Sequence, residues 1–255
     1  MPPLVCRLLI DPPAPGAWNM AVDETLLNWA QQTGGVAFRV YQWAEPTLTI
    51  GYFQRWLDRW QHPASLACPV VRRATGGGAI VHDRELTYCI VLPPHLIPKE
   101  GSLSLYKIIH ESLTEVFHSL GVLARLWACG CQASGPRQEP FLCFQRRSRW
   151  DVVAAGCDGT EVKLLGSAQR RTPTGLLQHG SILLAQSHSA PELPGLQELL
   201  GRWVSPEELS EIWLLRLEEK LGWHWKTDSL TPQELEKVKL LVQTKYGAQS
   251  WTERR

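Results

Sequence analysis

The chain has 255 residues, of which 44% are hydrophobic, and its 26 Lys and Arg residues nearly balance its 25 Asp and Glu residues. A chain of this length buries about 70–75% of its unfolded surface, so we expect a compact globular protein. A net charge of +1 provides no extended field for nucleic acid or an anionic membrane. The apolar runs fall far short of the ~20 residues of a membrane span, and the first residues lack a signal-peptide pattern, which predicts a cytoplasmic protein.

The seven cysteines are an odd number, spread over a chain too large to depend on disulfide bonds. This pattern is typical of a reducing compartment. Cys129 and Cys131 are close together, but no paired His follows and the next cysteines are too distant for zinc-ligand spacing. We therefore predict no metal site. Most cysteines are expected to be small buried hydrophobic residues, and one could carry chemistry.

The first half of the chain alternates between helical and strand-like patterns. Residues 18–32 have apolar side chains at helical spacing, which predicts an amphipathic helix. Residues 37–43 and 47–52 are rich in β-favouring side chains and flank a Glu-Pro turn, so we expect two paired strands. Residues 69–73 and 79–93 indicate further strands, joined by a loop with three consecutive glycines.

The second half predicts one long helix, more strands and a helical end. Residues 105–120 repeat apolar side chains at helical spacing, and Gly121 ends the pattern. Strand-like stretches follow at residues 122–127, 150–155, 162–169 and 175–185. Further on, Ser205 and Thr231 are each followed by Pro and then, at the third position, by Glu, which predicts two helix N-caps.

These elements predict an α+β fold. We expect a mostly antiparallel sheet flanked by helices in residues 1–190, and a small helical C-terminal extension in residues 191–255 that packs on it.

The first candidate site is the loop of three glycines, Gly76, Gly77 and Gly78. Without side chains, these residues let a ligand approach the backbone and expose amide groups to an oxygen atom. A hairpin turn between two strands would explain the same residues. The spacing alone does not decide between a binding loop and a structural turn.

Charged and polar residues flank this glycine loop. Arg72 and Arg73 precede it and could bind an anion. His82 follows it at the end of a strand, where it could act as a general base. A histidine beside an aspartate, here Asp83, is also typical of a structural hydrogen bond.

The second candidate site surrounds Lys163, which stands between Val162 and Leu164 in a predicted strand. Strand alternation places Lys163 on the face opposite to these two apolar side chains. If that face lines a pocket, the ammonium group could polarise a carbonyl oxygen; otherwise it points to water. Three small residues follow that leave room for a ligand or for tight packing, namely Gly166, Ser167 and Ala168.

The third candidate is Cys143, which lies beside a cluster of cations and outside a predicted core strand. Nearby positive charge favours the thiolate form of a cysteine. Residues 137–171 contain seven Lys and Arg against four Asp and Glu, so this segment could receive an acidic protein or could simply be a solvated surface. The arginines that we assign to partner binding are Arg146, Arg147, Arg170 and Arg171.

The motifs themselves resemble a known superfamily, that of the lipoate-protein ligases A/B and biotin ligases. The matching segments are Arg72-Arg73-x-x-Gly76-Gly77-Gly78-x-x-x-His82-Asp83, Lys163-x-x-Gly166-Ser167-Ala168-Gln169-Arg170, Asn19-Met20-Ala21-x-Asp23-Glu24 and Gln178-His179-Gly180-Ser181-Ile182. They occur in the expected order over about residues 5–185. Three features are similar to the cysteine-dependent octanoyltransferases of the LipM type: Glu85-Leu86-Thr87-Tyr88 follows His82-Asp83, Cys143-Phe144 precedes Ser148-x-Trp150-Asp151, and Gly166-Ser167-Ala168-Gln169-Arg170 leads into Gln178-His179-Gly180-Ser181. Gly78 departs from the pattern, which often has Arg there.

The resemblance implies an octanoyltransferase of lipoyl cofactor biosynthesis, with Cys143 on the family's nucleophile and Lys163 on its essential lysine. Cys143 would take octanoate from acyl carrier protein as a thioester, and a lysine of a lipoyl domain or of the glycine-cleavage H protein would then receive it as an amide. Lys163 would stabilise the oxyanion and the thiolate. The two small-residue segments, 76–78 and 166–168, would line the acyl tunnel, and no ATP, metal or other cofactor is implied.

Three alternatives stay open at this point. In an ATP-dependent lipoate-protein ligase, Lys163 and the glycine loop would hold an adenylate with Mg²⁺, and Cys143 would be incidental. Transfer of octanoate from H protein to other lipoyl domains would use the same residues. A non-catalytic module that binds carrier proteins would need only the arginine-rich surface.

Overall fold

The computed structural model of the protein describes residues 3–128, 139–156 and 159–255. In chain order its strands are β1 (Leu4–Ile10), β2 (Val36–Tyr41), β3 (Thr47–Ile50), β4 (Val70–Arg72), β5 (Ile80–His82), β6 (Glu85–Leu92), β7 (Ala124–Leu126), β8 (Val152–Ala155), β9 (Glu161–Thr172), β10 (Gly175–Leu183) and β11 (Trp223–Thr227). An eight-stranded sheet has the order β11-β1-β2-β6-β10-β9-β8-β7, and a three-stranded sheet has the order β4-β3-β5. In the larger sheet only the two pairs that include β1 are parallel. The predicted, mostly antiparallel sheet is therefore confirmed.

Helices cover both faces of the larger sheet. They are α1 (Gly16–Thr33), α2 (Ser102–Ser119), α3 (Leu196–Leu200), α4 (Pro206–Leu221), α5 (Pro232–Leu241) and α6 (Gln249–Thr252). Helices α2 and α4 pack on one face, and α1 and α5 pack on the other, so the fold is α+β with C-terminal helices, as predicted. Among the described helices, none is both long and apolar enough for a membrane span.

Local sequence signals set several element boundaries correctly. The predicted helices 18–32 and 105–120 correspond to α1 and α2. The Ser205 and Thr231 hydroxyls accept the N–H groups of Glu208 and Glu234, as the capping pattern predicts. Only Glu234 returns a bond to the backbone N–H of its cap residue, Thr231, whereas Glu208 pairs with Arg202.

The prediction that strands 37–43 and 47–52 pair with each other was wrong. Strand β2 pairs with β1 and β6, while β3 lies in the smaller sheet between β4 and β5. The side chain of Asn19 donates hydrogen bonds to Ala14 O (3.1 Å) and Gln42 O (3.0 Å) just after β2 ends. Beyond β2 the backbone still bridges to the segment after β1, since Gln42 O also accepts the Ala14 N–H at 3.3 Å, and the Glu-Pro turn then leads the chain into the second sheet.

The C-terminal extension also contains a strand that the sequence did not predict. Strand β11 adds to the larger sheet in parallel to β1, with Leu4 opposite Trp223. Arg7 of β1 holds the following segment, because its guanidinium donates to the Glu234 carboxylate at 2.6 Å. The extension is also joined to the core by Trp213 of α4, which is fully buried against Phe38.

The glycine loop connects β4 to β5, but these two strands are not neighbours, because both pair with β3. The loop is therefore not a hairpin turn. It crosses one end of the smaller sheet and faces β9 and β10 of the larger sheet, and a cavity lies between them.

Candidate active site

A cavity lies between the two sheets, and the space inside it, part of which is open to solvent, is about 410 Å³. Its lining includes eight residues that the sequence singled out, namely Arg73, Gly76, Gly77, His82, Cys143, Gly166, Ser167 and Ala168. Two other predicted residues, Gly78 and Lys163, contact Cys143 at the edge of the cavity.

The backbone of Cys143 is fixed against the glycine loop. Cys143 begins a single 3-10 turn, and its N–H donates to Ala79 O at 2.7 Å. A Cβ atom at Gly78 would lie 3.0 Å from the Cys143 nitrogen and 3.1 Å from its Cα atom. Gly78 is therefore glycine because the backbone that carries the thiol approaches it closely.

Lys163 brings a cation to the thiol of Cys143. Its Nζ atom lies 3.8 Å from Cys143 Sγ, 3.3 Å from Cys143 O and 2.8 Å from Asp151 Oδ2. The side chains of Lys163 and Asp151 are only 2% and 1% exposed. The lysine chain fills the space that a side chain at residue 166 would need, since a Cβ there would lie 2.7 Å from Nζ. Gly166 is thus required for the lysine to reach the cysteine.

A β-bulge in β9 turns Lys163 towards the cavity together with Gly166. Two consecutive residues of β8 lie opposite Lys163 and Leu165, so that Leu164 is an extra residue in β9. Both leucines pack in the core cluster that α2 covers. The alternation of faces changes phase at this bulge, and Lys163 and Gly166 share the cavity face although they are three residues apart.

Asp151 is a member of this group that the sequence reasoning did not name as a site residue. Its carboxylate accepts hydrogen bonds from the Tyr106 hydroxyl (2.7 Å) and from the Ser148 N–H (2.6 Å), in addition to the ion pair with Lys163. The preceding residue, Trp150, has a φ of 74°, a left-handed conformation that is unusual for a side chain of this size. The available signal was the Ser148-x-Trp150-Asp151 motif at the start of a strand.

Cys143 differs from the other described cysteines. Cys6 and Cys89 are buried in the core, and burial raises the pKa of both thiols, which keeps them protonated and inert. Cys68 is also buried. Cys143 is partly exposed and lines the cavity. Cys129, Cys131 and Cys157 lie outside the described residues.

Ser167 belongs to a chain of buried hydrogen bonds behind the cavity. His110 Nδ1 lies 2.7 Å from Trp150 O, so this nitrogen carries the proton, and Nε2 accepts the Ser167 hydroxyl at 2.7 Å. Ser167 in turn accepts the Tyr88 hydroxyl at 2.7 Å. Burial lowers the pKa of His110 to about 3, so the imidazole is neutral at physiological pH.

His82 and Arg73 form the opposite wall of the cavity. Both ring nitrogens of His82 are engaged, by Thr49 (2.8 Å) and by Glu85 (2.7 Å), and burial lowers the pKa of the imidazole. Arg73 donates to Gly78 O at 2.8 Å and to Gly76 O at 3.1 Å. Burial lowers the pKa of Arg73 to about 10. These two residues shape the glycine loop and the wall around it.

Arg72 lies away from the cavity, which differs from its expected contact with substrate. Its guanidinium is fully buried and donates to Gly51 O (2.9 Å), Gln54 O (2.7 Å) and Thr252 O (2.7 Å). Carbonyl oxygens from two distant segments are thus joined by one side chain. In this structure Arg72 connects the C-terminal helix to the loop after β3.

Three lining residues from the Gln178-His179-Gly180-Ser181 motif, namely His179, Gly180 and Ser181, were not among the candidate site residues. His179 lies 2.7 Å from the Thr75 hydroxyl and 3.0 Å from Asp23, so it ties the glycine loop to α1. Ser181 Oγ is buried on the cavity side of β10, opposite Thr87, and has no hydrogen-bond partner among the described atoms. A buried hydroxyl without a partner is uncommon, and this one is free to bond a ligand.

The four arginines assigned to partner binding do not form one surface. The guanidinium of Arg147 bonds Glu161 O (2.8 Å) at the start of β9, whereas Arg170 and Arg171 are near its end. At ~3.3 Å per residue these two ends are about 30 Å apart. Arg146 is paired with Glu139 beside the glycine loop. The arginines that are close together in the sequence are thus separated in the structure by about the length of β9.

Two solved structures with this fold are described as lipoate-protein ligases. A bipartite lipoate protein ligase from Thermoplasma acidophilum superposes with a TM-score of 0.75 at 20% identity, covering 98% of this chain and 96% of that one. A lipoate-protein ligase A bound with ATP superposes with a TM-score of 0.74 at 20% identity, covering 98% and 99%. At this identity the likeness shows the fold alone.

The family follows from the sequence comparison. Residues 15–192 match the lipoyl protein ligase A/B catalytic domain, and the chain belongs to this family. Octanoyltransferase LipM of Kyrpidia tusciae is 34% identical, with 98% of both chains covered. Octanoyltransferase LipM of Bacillus subtilis is 29% identical, with 94% of both chains covered.

Proposed function

We propose that the protein is an octanoyltransferase of lipoyl cofactor assembly that carries the acyl group on Cys143. The observation that carries this proposal is the contact between Cys143 and Lys163, 3.8 Å from Sγ to Nζ, at the edge of a cavity in the catalytic domain. The chain is similar over nearly its whole length to proteins named octanoyltransferase LipM, and this similarity supports octanoyl as the acyl group that is transferred. The donor is octanoyl acyl carrier protein, and the acceptor is a lysine of a lipoyl domain or of the glycine-cleavage H protein.

In the first step, the Cys143 thiolate attacks the carbonyl carbon of the donor thioester. The bond from Cys143 Sγ to the acyl carbon forms, the bond to the carrier sulfur breaks, and the departing thiolate takes up the proton that Cys143 lost. One thioester replaces another at little thermodynamic cost, so the step needs no nucleotide. The ammonium of Lys163 stabilises negative charge on the sulfur and on the developing oxyanion.

Ser181 supplies a second, neutral donor for the carbonyl oxygen. Ser181 is the cross-strand neighbour of Gly166, and Gly166 is the residue over which the Lys163 chain passes. Its hydroxyl has no other partner in the described structure. A donor that is already desolvated and oriented requires no reorganisation when charge develops on the oxygen.

In the second step, the neutral ε-amine of the acceptor lysine attacks the acyl-Cys143 thioester. The amide bond forms, the bond to Cys143 Sγ breaks, and the amine releases a proton while the thiolate is regenerated. An amide is far more stable than a thioester, which makes the transfer directional. The octanoyl chain lies between residues 76–78 and 166–168, and its burial contributes about 0.8 kcal/mol per methylene.

The proposal is tested by incubating the protein with octanoyl acyl carrier protein and a lipoyl domain, without ATP. We expect octanoylation of the lipoyl domain, measured by mass spectrometry, and its loss in Cys143→Ala. Free octanoate with ATP and Mg²⁺ serves as the second arm of the experiment. If only this arm modifies the lipoyl domain, and if Cys143→Ala retains the activity, the protein is an ATP-dependent ligase and the proposal is wrong.

An octanoylated H protein offered as the donor separates the two transfer routes. Under the proposal, acyl carrier protein is the better donor, with a higher kcat/KM than the H protein. A preference for the H protein would place the enzyme at a later transfer between lipoyl domains.

A further inference from the structure

Three arginines without a carboxylate partner surround the glycine loop at one side of the cavity. They are Arg170, Arg254 and Arg255. The ion pairs that arginines form in the described ranges involve other arginines. Since the chain as a whole has a net charge of only +1, three arginines at one place that form no ion pair with the described side chains are a local concentration of positive charge.

The C-terminal segment that carries two of these arginines is fixed to the protein by backbone hydrogen bonds. Thr252 O accepts the buried guanidinium of Arg72 at 2.7 Å, and Trp251 Nε1 donates to Arg72 O at 2.9 Å. Arg255 O accepts the N–H of Trp56 at 2.7 Å. The segment therefore follows the loop after β3, and the two arginines have defined positions beside it.

Aromatic rings hold these guanidinium groups next to the glycine loop. Arg254 lies 4.1 Å from the centroid of the Tyr52 ring, and Arg255 lies 5.7 Å from that of Phe53. The Tyr52 N–H donates to Thr75 O of the loop at 2.8 Å. The Phe53 ring is 67% exposed and is the nearest side chain to Gly76. Arg255 also donates to Phe53 O at 3.5 Å, and a guanidinium group that stacks on a ring keeps further N–H groups with which it can bind an anion.

Arg170 approaches the same place from β9. It lines a small pocket together with Ala74 and Thr75. A hydrogen bond from Arg254, and then the charges of Arg254, Arg170 and Arg255, lower the pKa of the exposed Tyr52 hydroxyl. All three cations thus act on one point beside the loop.

We propose that this arginine rim, defined as Arg170, Arg254 and Arg255 around Tyr52 and Phe53, is the docking surface for the acyl donor, an acidic carrier domain whose thioester arm contains a phosphodiester. The inference rests on the proposed function. The donor fits better than the acceptor because the acceptor reacts through a lysine, whose cation the rim repels, whereas the rim attracts a phosphodiester and an acidic face. Of the four arginines that the sequence assigned to partner binding, the rim includes only Arg170.

The test separates the two half-reactions. Formation of acyl-enzyme from octanoyl acyl carrier protein is compared with formation from octanoyl-N-acetylcysteamine, a neutral small thioester without a phosphate. We expect Arg170→Gln, Arg254→Gln and Arg255→Gln each to lower kcat/KM for the carrier substrate about 3- to 10-fold, and the triple variant about 100-fold, at low salt. The small thioester should react within about 2-fold of the parent rate, because the rim does not touch the thiol.

Arg84→Gln is the matched control. Arg84 is an exposed arginine that stacks on Trp203 at 5.0 Å and, in the described ranges, forms no ion pair, but it contributes nothing to the lining of the cavity. We expect it to behave like the parent with both thioesters. In about 0.5 M salt, kcat/KM for the carrier substrate should differ between the triple variant and the control by only a few-fold, because salt screens the charges of the rim.

Two results would overturn the inference. In the first, the triple variant reacts with the carrier substrate at the same rate as Arg84→Gln. In the second, the triple variant is slowed only in transfer from preformed acyl-enzyme to the lipoyl domain, which would assign the rim to the acceptor. If the parent forms no acyl-enzyme from either thioester, the proposed function fails instead. The rim is then still tested by fluorescence anisotropy with unacylated carrier protein, whose binding must weaken in the triple variant and not in Arg84→Gln.

Discussion

Two buried cations face each other across the cavity, and they are held in different ways. Arg73 gives its N–H groups to the carbonyls of Thr49, Gly76 and Gly78, so it fixes the shape of the loop. Lys163 donates to the Asp151 carboxylate and to Cys143 O, and its ammonium lies 3.8 Å from the Cys143 thiol. Both side chains are almost inaccessible to solvent. Burial alone therefore does not distinguish a reactive cation from a structural one, and the acceptor groups do.

The charges of Arg73 and Lys163 are also compensated to different extents in the interior. A buried cation held by carbonyl dipoles is only partly compensated, which agrees with the lowered pKa of Arg73. A buried cation opposite a buried carboxylate is compensated only while the pair is intact. Removal of either member of the Lys163–Asp151 pair leaves a charge alone in the interior.

The largest effect is expected from Asp151→Asn. We expect the free energy of unfolding in urea to fall by about 3 kcal/mol, because Lys163 loses its counter-charge. Acyl-enzyme formation and alkylation of Cys143 by iodoacetamide should both slow by about 100-fold, because the ammonium is no longer held at the thiol. Arg73→Lys is the matched change on the other wall, and it should lower stability while alkylation changes less than about 10-fold.

The double variant Asp151→Asn with Lys163→Met sharpens this contrast. It has no uncompensated charge, so we expect it to regain most of the lost stability without any gain in activity. If the alkylation rate of Asp151→Asn equals that of the parent, Asp151 is structural and does not position Lys163.

Ser181→Ala should lower kcat for acyl-enzyme formation by about 100-fold with little change in KM, the expected cost of losing one oxyanion donor. Alkylation of Cys143 should be unaffected, since no oxyanion forms on the protein in that reaction. Ser181→Thr, which keeps a hydroxyl, should restore part of kcat. Equal kcat values for Ser181→Ala and the parent would remove Ser181 from the mechanism.

A pair of glycine substitutions in the loop tests how closely the wall fits the reactive cysteine. In Gly78→Ala the new Cβ would lie 3.0 Å from a backbone atom of Cys143, so we expect kcat to fall about 10-fold as the thiol is displaced. In Gly76→Ala the nearest contact is an ordinary 3.7 Å to the Phe53 ring, and activity should remain within about 2-fold. Similar rates for the two variants would show that Cys143 tolerates displacement.

The last prediction concerns stability rather than rate, and it involves His110 on the reactive side of the cavity. Burial lowers the pKa of His110 to about 3, so between about pH 6.5 and pH 3 only the unfolded chain takes up this proton. The contribution of His110 to stability is complete above pH 6.5 and falls by about 1.4 kcal/mol per unit of acidification below it. Urea unfolding at pH 7 and pH 5 should therefore show a smaller loss in His110→Gln than in the parent. An equal loss in both proteins would contradict a neutral buried His110.

The sequence predicts best those features that depend on neighbouring residues. Helices α1 and α2, the N-caps at Ser205 and Thr231 and most strands follow from local periodicity and capping chemistry. Strand β11 was missed because it has five residues and depends on a partner strand at the other end of the chain. The partition of β2 and β3 into two sheets likewise depends on the distant strands with which each of them pairs.

The site was predictable where a motif marked it and hidden where backbone geometry made it. Family motifs singled out Cys143 and Lys163, which the structure brings within 3.8 Å of each other. The bulge that turns Lys163 into the cavity leaves no signal in the residue pattern, because Leu164 and Leu165 are both ordinary core residues. Whether an arginine is satisfied by carbonyls, as Arg72 is, also depends on segments far away in the chain.

The central claim is that Cys143 carries the acyl group, and intact-mass spectrometry tests it most directly. The protein is incubated with octanoyl acyl carrier protein in the absence of ATP and acceptor, and the modified peptide is then located. We predict one octanoyl adduct, labile to hydroxylamine, on the peptide that contains Cys143, and no adduct in Cys143→Ala. An adduct on another residue, or transfer to the lipoyl domain that proceeds normally in Cys143→Ala, would contradict the account.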